Sequence, residues 1–558
     1  MAPDIPGAKR AGLPVDLDRL TVDGDSWLSP EERYALKMHG VCLQAHPGVF
    51  MIRTRTNASM DTDTARGIAD IADELARGWL HLTTRQQLEF HHVDAHDVVK
   101  VIERIDKIGL TTRSTCGHTM RGVMSCPLAG VGLEEPFDCS VDARAVSDSV
   151  LALTPELDTK MPQRINIAFG GCTNCRDHAL VNDMGFVSKI SDKGELGYEL
   201  WLAGSLGKSS PTLGIKAVDF LPRADVLPAV HALFEMFVQF GSFDQPGKAR
   251  IKYLLKKLGE RDFLDLFHAG LAETKERRWP EPAPLSTPLS ASLGSILACA
   301  PEGGWSTGVR PQRVPGYALV TVKAPLGDLN AEDWRHLCDL ADEHADGHLH
   351  LTKNQNVMFR HVHLGAIGAL KTKLAETYLS LEGADNAQDV RACTGGPVCG
   401  LALTPAQSAA AGLLEHPALL RNSALRVNVS GCPNACAQHQ ISDIGFSGSK
   451  VTIAGSGTLG YQVWLGGDLS KGLIGRVVGR VAAADIYAIT GAIVGIWEAM
   501  RERGETLTDT VHRMGLESFG TQIAAVFKGQ WEPGPEPTEA PAVPSVPSNR
   551  QLRMVMGA

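Results

Sequence analysis

Four cysteines in the second half of the chain, Cys393 and Cys399 in ACTGGPVCG and Cys432 and Cys436 in SGCPNACAQ, form two close pairs. Five and three residues lie inside the pairs and 32 between them. Four thiolates spaced in this way can cap the four irons of a [4Fe–4S] cube, so the spacing points to one-electron chemistry. A second set, Cys116, Cys126, Cys172 and Cys175, sits in the first half with different spacings. Cys172 and Cys175 make a C-x2-C pair that could bind zinc or iron, but nothing requires Cys116 and Cys126 to converge on it. The pair therefore reads as a remnant of a duplication. Cys42, Cys139, Cys299 and Cys338 stand alone and read as small buried apolar side chains.

The elements that must position these residues occur twice. HLTTRQQLEFHHV at residues 81–93 returns as HLTKNQNVMFRHV at 350–362, with seven of thirteen positions identical. LGYELWLAGSL from Leu196 returns as LGYQVWLGGDL from Leu459, and GGCTNC…NDMGF returns as SGCPNAC…SDIGF, in the same order. This is an internal duplication of about 265 residues, too long for a solenoid repeat, and it predicts two similar domains about a pseudo-twofold axis. Each half opens with a strand, FMIRTRT near Phe50 or GYALVTV near Gly316, followed by a helix (64–77 or 331–343) and the HLT strand. Glu332 and Asp333 open the second helix where its dipole favours negative charge. Interleaved strands and helices predict a mixed α/β architecture.

The two halves differ where chemistry would occur. Arg85 of the first strand copy is Asn354 in the second, while the C-x5-C and C-x3-C pairs belong to the second half alone. If the halves share one interface, a composite site draws metal from one and positive charge from the other, as an anion reductase requires.

On these motifs the chain resembles the siroheme and [4Fe–4S] family of assimilatory nitrite and sulfite reductases, over about residues 30–530. The matching segments are the TxRQ strand at 83–86, residues 121–130 leading through a CPLAG stretch, MPQRIN at 161–166 against an LPRKFK-like pattern, and the paired cysteines. The resemblance implies an internally duplicated fold, each half with a ferredoxin-like half-domain and a larger siroheme/cluster-type α/β domain. The divisions expected are an N-terminal extension at 1–30, half-domains at 31–100 and 313–370, reductase domains at 101–278 and 371–531, a linker at 279–312, and a disordered Pro-rich tail at 532–558.

It also implies that Cys393, Cys399, Cys432 and Cys436 ligate the cluster, with Cys436 bridging to siroheme. Arg85, Arg121, Arg164 and Asn166 are carried over as the residues facing substrate. Arg53, Arg55, Arg113 and Arg121 are carried over as partners of the siroheme carboxylates, a task suited to the guanidinium fork. Asn166 stands where relatives that reduce sulfite resemble one another in having Lys, so the expected reaction is the six-electron reduction of nitrite to ammonia. The alternatives are sulfite reduction to sulfide, a precorrin-3B synthase-like monooxygenase, and a non-catalytic iron–sulfur carrier.

Composition sets the remaining bounds. The 54 basic and 63 acidic side chains give a net charge of −9, which disfavours a nucleic-acid partner. The opening residues lack the apolar core of a secretory signal, and no apolar run is expected to reach the roughly 18 residues that span a bilayer, so a cytoplasmic protein without a membrane partner is expected. No GxGxxG follows a clear strand, so electrons are expected from a separate ferredoxin or flavoprotein.

Overall fold

The computed structural model describes residues 3–534 apart from 155, 208, 244, 286–295, 297–299, 302–303, 397, 454–455 and 530. Cys299 and residues 535–558 of the expected tail lie outside the described residues.

Among the described residues, four sheets and their covering helices make a mixed α/β fold in two related halves. In the first half, strands Val49–Thr54, Leu88–Asp94 and Trp79–Leu82 pair antiparallel, and Val41–Leu43 joins at one edge. Strands Tyr317–Val322, Val357–His363 and His348–Leu351 repeat that order in the second half, with Val309–Pro311 at the edge. The likeness extends to irregularities: the register slips between Phe50 and Ile52 and again between Ala318 and Val320. A β-bulge at the same place in both copies is a built feature of the strand.

The two small sheets exchange strands. Asp328–Asn330 of the second half completes the first sheet beside Trp79–Leu82, and Ser59–Asp61 of the first half completes the second beside His348–Leu351. Each exchanged strand leads directly into a helix, Thr62–Leu75 or Ala331–His344. Both helices start where the sequence places a cap: Asp61 accepts the Thr64 N–H at 2.7 Å and Asn330 that of Asp333 at 2.7 Å. The two helices pack on each other through one shared core, in which Trp334 is fully buried and donates Nε1–H to the Ala65 carbonyl at 2.8 Å. The halves are thus interleaved through backbone pairing and a common core.

The larger domains carry both cysteine sets. In the first half, Ile167–Gly170 pairs parallel with Met184–Ile190, which continues through Leu196–Leu202 to Ile215–Pro222. In the second, Arg391–Ala392 and Val427–Ser430 lead into the long hairpin Ile444–Ile453 and Ser456–Leu465, then Arg476–Ala482. Helices Val226–Phe240 and Ile486–Met500 occupy corresponding places against these sheets.

Two expectations are corrected here. The stretch Ala483–Met500 is long and apolar enough to cross a membrane, whereas no such run was expected. Its buried side chains, Ile489, Ile493, Val494 and Trp497 among them, belong to the core over the six-stranded sheet. Glu532 and Pro533, placed in the disordered tail, lie in an edge strand, Trp531–Pro533, paired with Arg476–Ala482. The N-terminal extension folds into helices Ile5–Arg10 and Leu17–Asp23, and buried Lys9 bonds the Asp158 carbonyl at 2.5 Å.

Candidate active site at the interface of the halves

Backbone geometry brings the second-half cysteines together. Cys393 leaves strand Arg391–Ala392 and donates its N–H to the Val429 carbonyl of the neighbouring strand, at 3.2 Å. Cys432 follows that strand, and the Gly431 N–H between them points at Cys393 Sγ, 3.1 Å away. The loop to Cys399 turns at Gly395, whose φ is +59° and whose absent Cβ would lie 2.5 Å from the Ala406 nitrogen, so only glycine fits. Cys399 then donates to the Gly395 carbonyl at 2.8 Å. Burial first, and then the charge of the other three thiols, pushes Cys436 well above the usual thiol range; Cys393 rises to about 12 for the same reasons. Cys436 nevertheless keeps exposed surface.

The first half supplies the opposite wall. Thr84 Oγ1 donates to the Cys436 carbonyl at 2.8 Å, which sets Arg85, the next residue, against the cysteine loop. Arg85 donates to Asn182 Oδ1 at 3.1 Å and to the Gly122 carbonyl at 2.9 Å. Arg121 donates to the carbonyls of Thr115 and, at 2.9 Å, Gly117. The Arg164 guanidinium has no ion pair among the described residues; its Nη2 and Arg250 Nη1 lie 3.4 and 3.8 Å from the point where a Gly207 Cβ would stand. Burial depresses all three arginines, Arg85 to about 9, and repulsion from neighbouring guanidinium groups, Arg250 among them, adds to the effect; the Asp183 carboxylate partly offsets it at Arg164. Asn166 holds its backbone N–H on Asp183 at 2.8 Å, with a buried, unpartnered Oδ1.

This wall fits an anionic group. Buried N–H groups normally have acceptors, yet Arg55 Nε and Nη1, Arg85 Nε and Arg121 Nε have none among the described residues. Arg55 is 2% exposed, spends only Nη2 on the Met120 carbonyl at 2.8 Å, and is depressed to about 10 by burial. Several buried guanidinium groups with spare donors and few carboxylates are what a polycarboxylate macrocycle and an oxyanion need. The other two proposed carboxylate partners differ from Arg55. Arg53 is ion-paired with Glu89, which keeps its charge within the protein, while Arg113 lies exposed.

Sequence reasoning passed over Arg250, which is buried among these cations and forks onto Asp183 through Nε at 3.1 Å and Nη2 at 2.5 Å. Asp183 itself was visible as the Asp of the repeated NDMGF and SDIGF motifs. The first-half cysteines also depart from expectation. Cys126, Cys172 and Cys175 do converge, with Sγ atoms all within 4.8 Å of one another. Cys139 lies beside Cys126, and Cys116 pairs with Cys42, so neither Cys42 nor Cys139 stands alone.

The nitrite and sulphite reductase 4Fe-4S domain matches residues 116–275 and 383–530, and the nitrite/sulfite reductase ferredoxin-like half domain matches residues 43–108 and 310–377. The chain belongs to the nitrite and sulfite reductase family. It is an oxidoreductase, and its cofactors are a [4Fe–4S] cluster and siroheme. This family member is 27% identical over 483 residues to the ferredoxin–nitrite reductase of Synechococcus elongatus, covering 85% of the chain and 87% of that enzyme. It is 26% identical over 435 residues to a sulfite reductase [ferredoxin] of Mycolicibacterium paratuberculosis, covering 76% and 74% respectively. Its fold matches the structure of Mycobacterium tuberculosis NirA with a TM-score of 0.78 at 22% identity, covering 93% of the chain and 98% of that protein.

Proposed function

We propose that this reductase converts nitrite to ammonia, taking six electrons from a separate ferredoxin or flavoprotein. What carries the reading is the cationic wall beside Cys436, where Arg164 forms no ion pair among the described residues and the position two residues on is the neutral Asn166. Nitrite carries one negative charge and sulfite up to two, so a pocket with one cation fewer favours nitrite.

Cys393, Cys399, Cys432 and Cys436 are the residues that would hold the cluster, and Arg55 and Arg121, with Arg53 and Arg113 as further candidates, those that would meet the siroheme carboxylates. When bound, these cofactors would supply electrons one at a time for reduction of the oxyanion. Arg85, Arg121 and Arg164 then attract the oxyanion, orient its oxygens and offset charge as each electron arrives. Arginine stays protonated in this role. The protons that convert departing oxygen to water come from water molecules hydrogen-bonded to these guanidinium groups. The name of the Synechococcus relative supports a ferredoxin donor.

Sulfite is the second reading, favoured by the Mycolicibacterium relative at nearly equal identity. Anaerobic enzyme given a chemical reductant separates the two by its yields of ammonia from nitrite and sulfide from sulfite. Asn166→Lys should raise sulfite turnover relative to nitrite; an unchanged ratio removes the reason for preferring nitrite.

A further inference from the structure

The first-half thiols form a compact group that the reaction does not use. The Sγ atoms of buried Cys126, Cys172 and Cys175 all lie within 4.8 Å of one another, with Cys126 and Cys172 3.4 Å apart. Among the described residues no other three potential metal ligands meet so closely, the second-half quartet included.

The frame around the group is the duplicated one. Gln86 Nε2 donates to the Ser125 carbonyl at 2.8 Å, and its counterpart Gln355 Nε2 donates to the Ala392 carbonyl at 3.0 Å. Cys126 therefore takes the place of Cys393, and Cys172, following strand Ile167–Gly170, takes that of Cys432. The next cysteine breaks the correspondence. Residues 170–186 and 430–446 align without a gap, which sets Cys175 on Ala435, one residue short of Cys436.

That displacement decides what the thiols can hold. A cube carries its thiolates on four separate irons and keeps them well apart. A single tetrahedral ion with metal–sulfur bonds of about 2.3 Å draws its thiolates to about 3.8 Å from one another. The first-half triple has the second geometry. Cys139 is at hand in the same core: it lies close enough to interact with Cys126, and its Sγ lies 3.5 Å from where a Gly171 Cβ would stand. The second half contributes two cations to offset thiolate charge. Lys353 donates to Asn174 Oδ1 at 2.9 Å and interacts with Cys172 and Cys175, and Arg360 donates to the Pro127 carbonyl at 2.6 Å and interacts with Cys126.

We propose that Cys126, Cys172 and Cys175, with Cys139 as fourth thiolate, bind one structural zinc ion, separate from the [4Fe–4S] cluster. Binding exchanges thiol protons for the ion without any change of oxidation state. The ion would anchor the loop that carries Arg121 to the strand before helix Thr173–Ala179.

The test is metal analysis of the full-length enzyme, purified anaerobically without chelators or a metal-affinity step. One zinc per chain is expected besides the iron of cluster and siroheme, with a zinc-edge X-ray absorption shell of sulfur at about 2.3 Å. Cys126→Ser and Cys175→Ser should each lose the zinc while keeping the iron–sulfur and siroheme absorption, and Cys338→Ser should keep both. A wild-type enzyme without zinc, iron at twice the amount of one cluster, a Cys126–Cys172 disulfide by mass spectrometry, or zinc bound through nitrogen and oxygen would each overturn the proposal. Should the serine variants fail to fold, the wild-type stoichiometry and sulfur shell still decide.

Discussion

Replacing Arg164 by Leu should weaken the enzyme and leave its fold no less stable. A hydrogen bond from a charged group to an anion contributes about 1.5–3 kcal/mol, so kcat/KM for nitrite should fall by about 10- to 150-fold. The stability effect has the opposite sign. Arg164 and Arg250 both lie within 4 Å of the point where a Gly207 Cβ would stand, so the two charges are at most about 7 Å apart. At an effective dielectric constant of about 20, such a like-charge pair costs about 2 kcal/mol. The Asp183 carboxylate, forked by Arg250, cancels part of that cost, which leaves about 1 kcal/mol or less to be gained by removing Arg164. Nitrite-dependent oxidation of a reduced viologen dye gives kcat/KM, and thermal unfolding of the same preparation gives stability. Arg164→Lys, which keeps the charge, should recover most of the lost activity. An Arg164→Leu enzyme with undiminished kcat/KM and a lowered unfolding temperature would show a structural arginine and refute the electrostatic argument.

Cys436→Ser should yield folded protein that has lost most of its iron and acid-labile sulfide, measured against Cys338→Ser, whose thiol is buried far from the quartet's loop and bonds the Trp334 carbonyl; full iron loading in the Cys436 variant would remove it from the ligand set. Burial raises the Asp158 carboxyl from 3.8 to about 6, against Ser114 and Lys9, which favour its charge. The folded state therefore holds that proton more tightly than the unfolded one, and the stability so gained is complete below pH about 4 and lost as pH rises through about 6. Asp158→Asn should exceed the wild type by up to about 3 kcal/mol above pH 7 and match it at pH 4, by denaturant titration; a difference that does not change with pH would contradict this. Trp334→Ala should cost about 3–5 kcal/mol, because it empties the contact between the two capped helices of opposite halves. A loss below about 1 kcal/mol would mean that this contact does not hold the halves together.

The duplication, the helix starts at Asp61 and Asn330 and the C-x5-C and C-x3-C pairs are legible in the sequence because each depends on near neighbours: a cap bonds three residues away, and paired cysteines share one loop. The strand exchange is not. Ser59–Asp61 and Asp328–Asn330 are three residues long, too short to show a period, and each pairs with a strand of the other half. Arg250 is likewise silent, an arginine outside the three repeated motifs until folding sets it on Asp183. Cys126, Cys172 and Cys175 show both limits at once. Their residue types announced possible ligands, but their convergence required a parallel strand pair and the docked loop of the opposite half. Sequence determined which groups were available and how each local turn would run; tertiary structure decided which of them meet, because strand pairing and lobe packing join residues whose separation along the chain carries no signal.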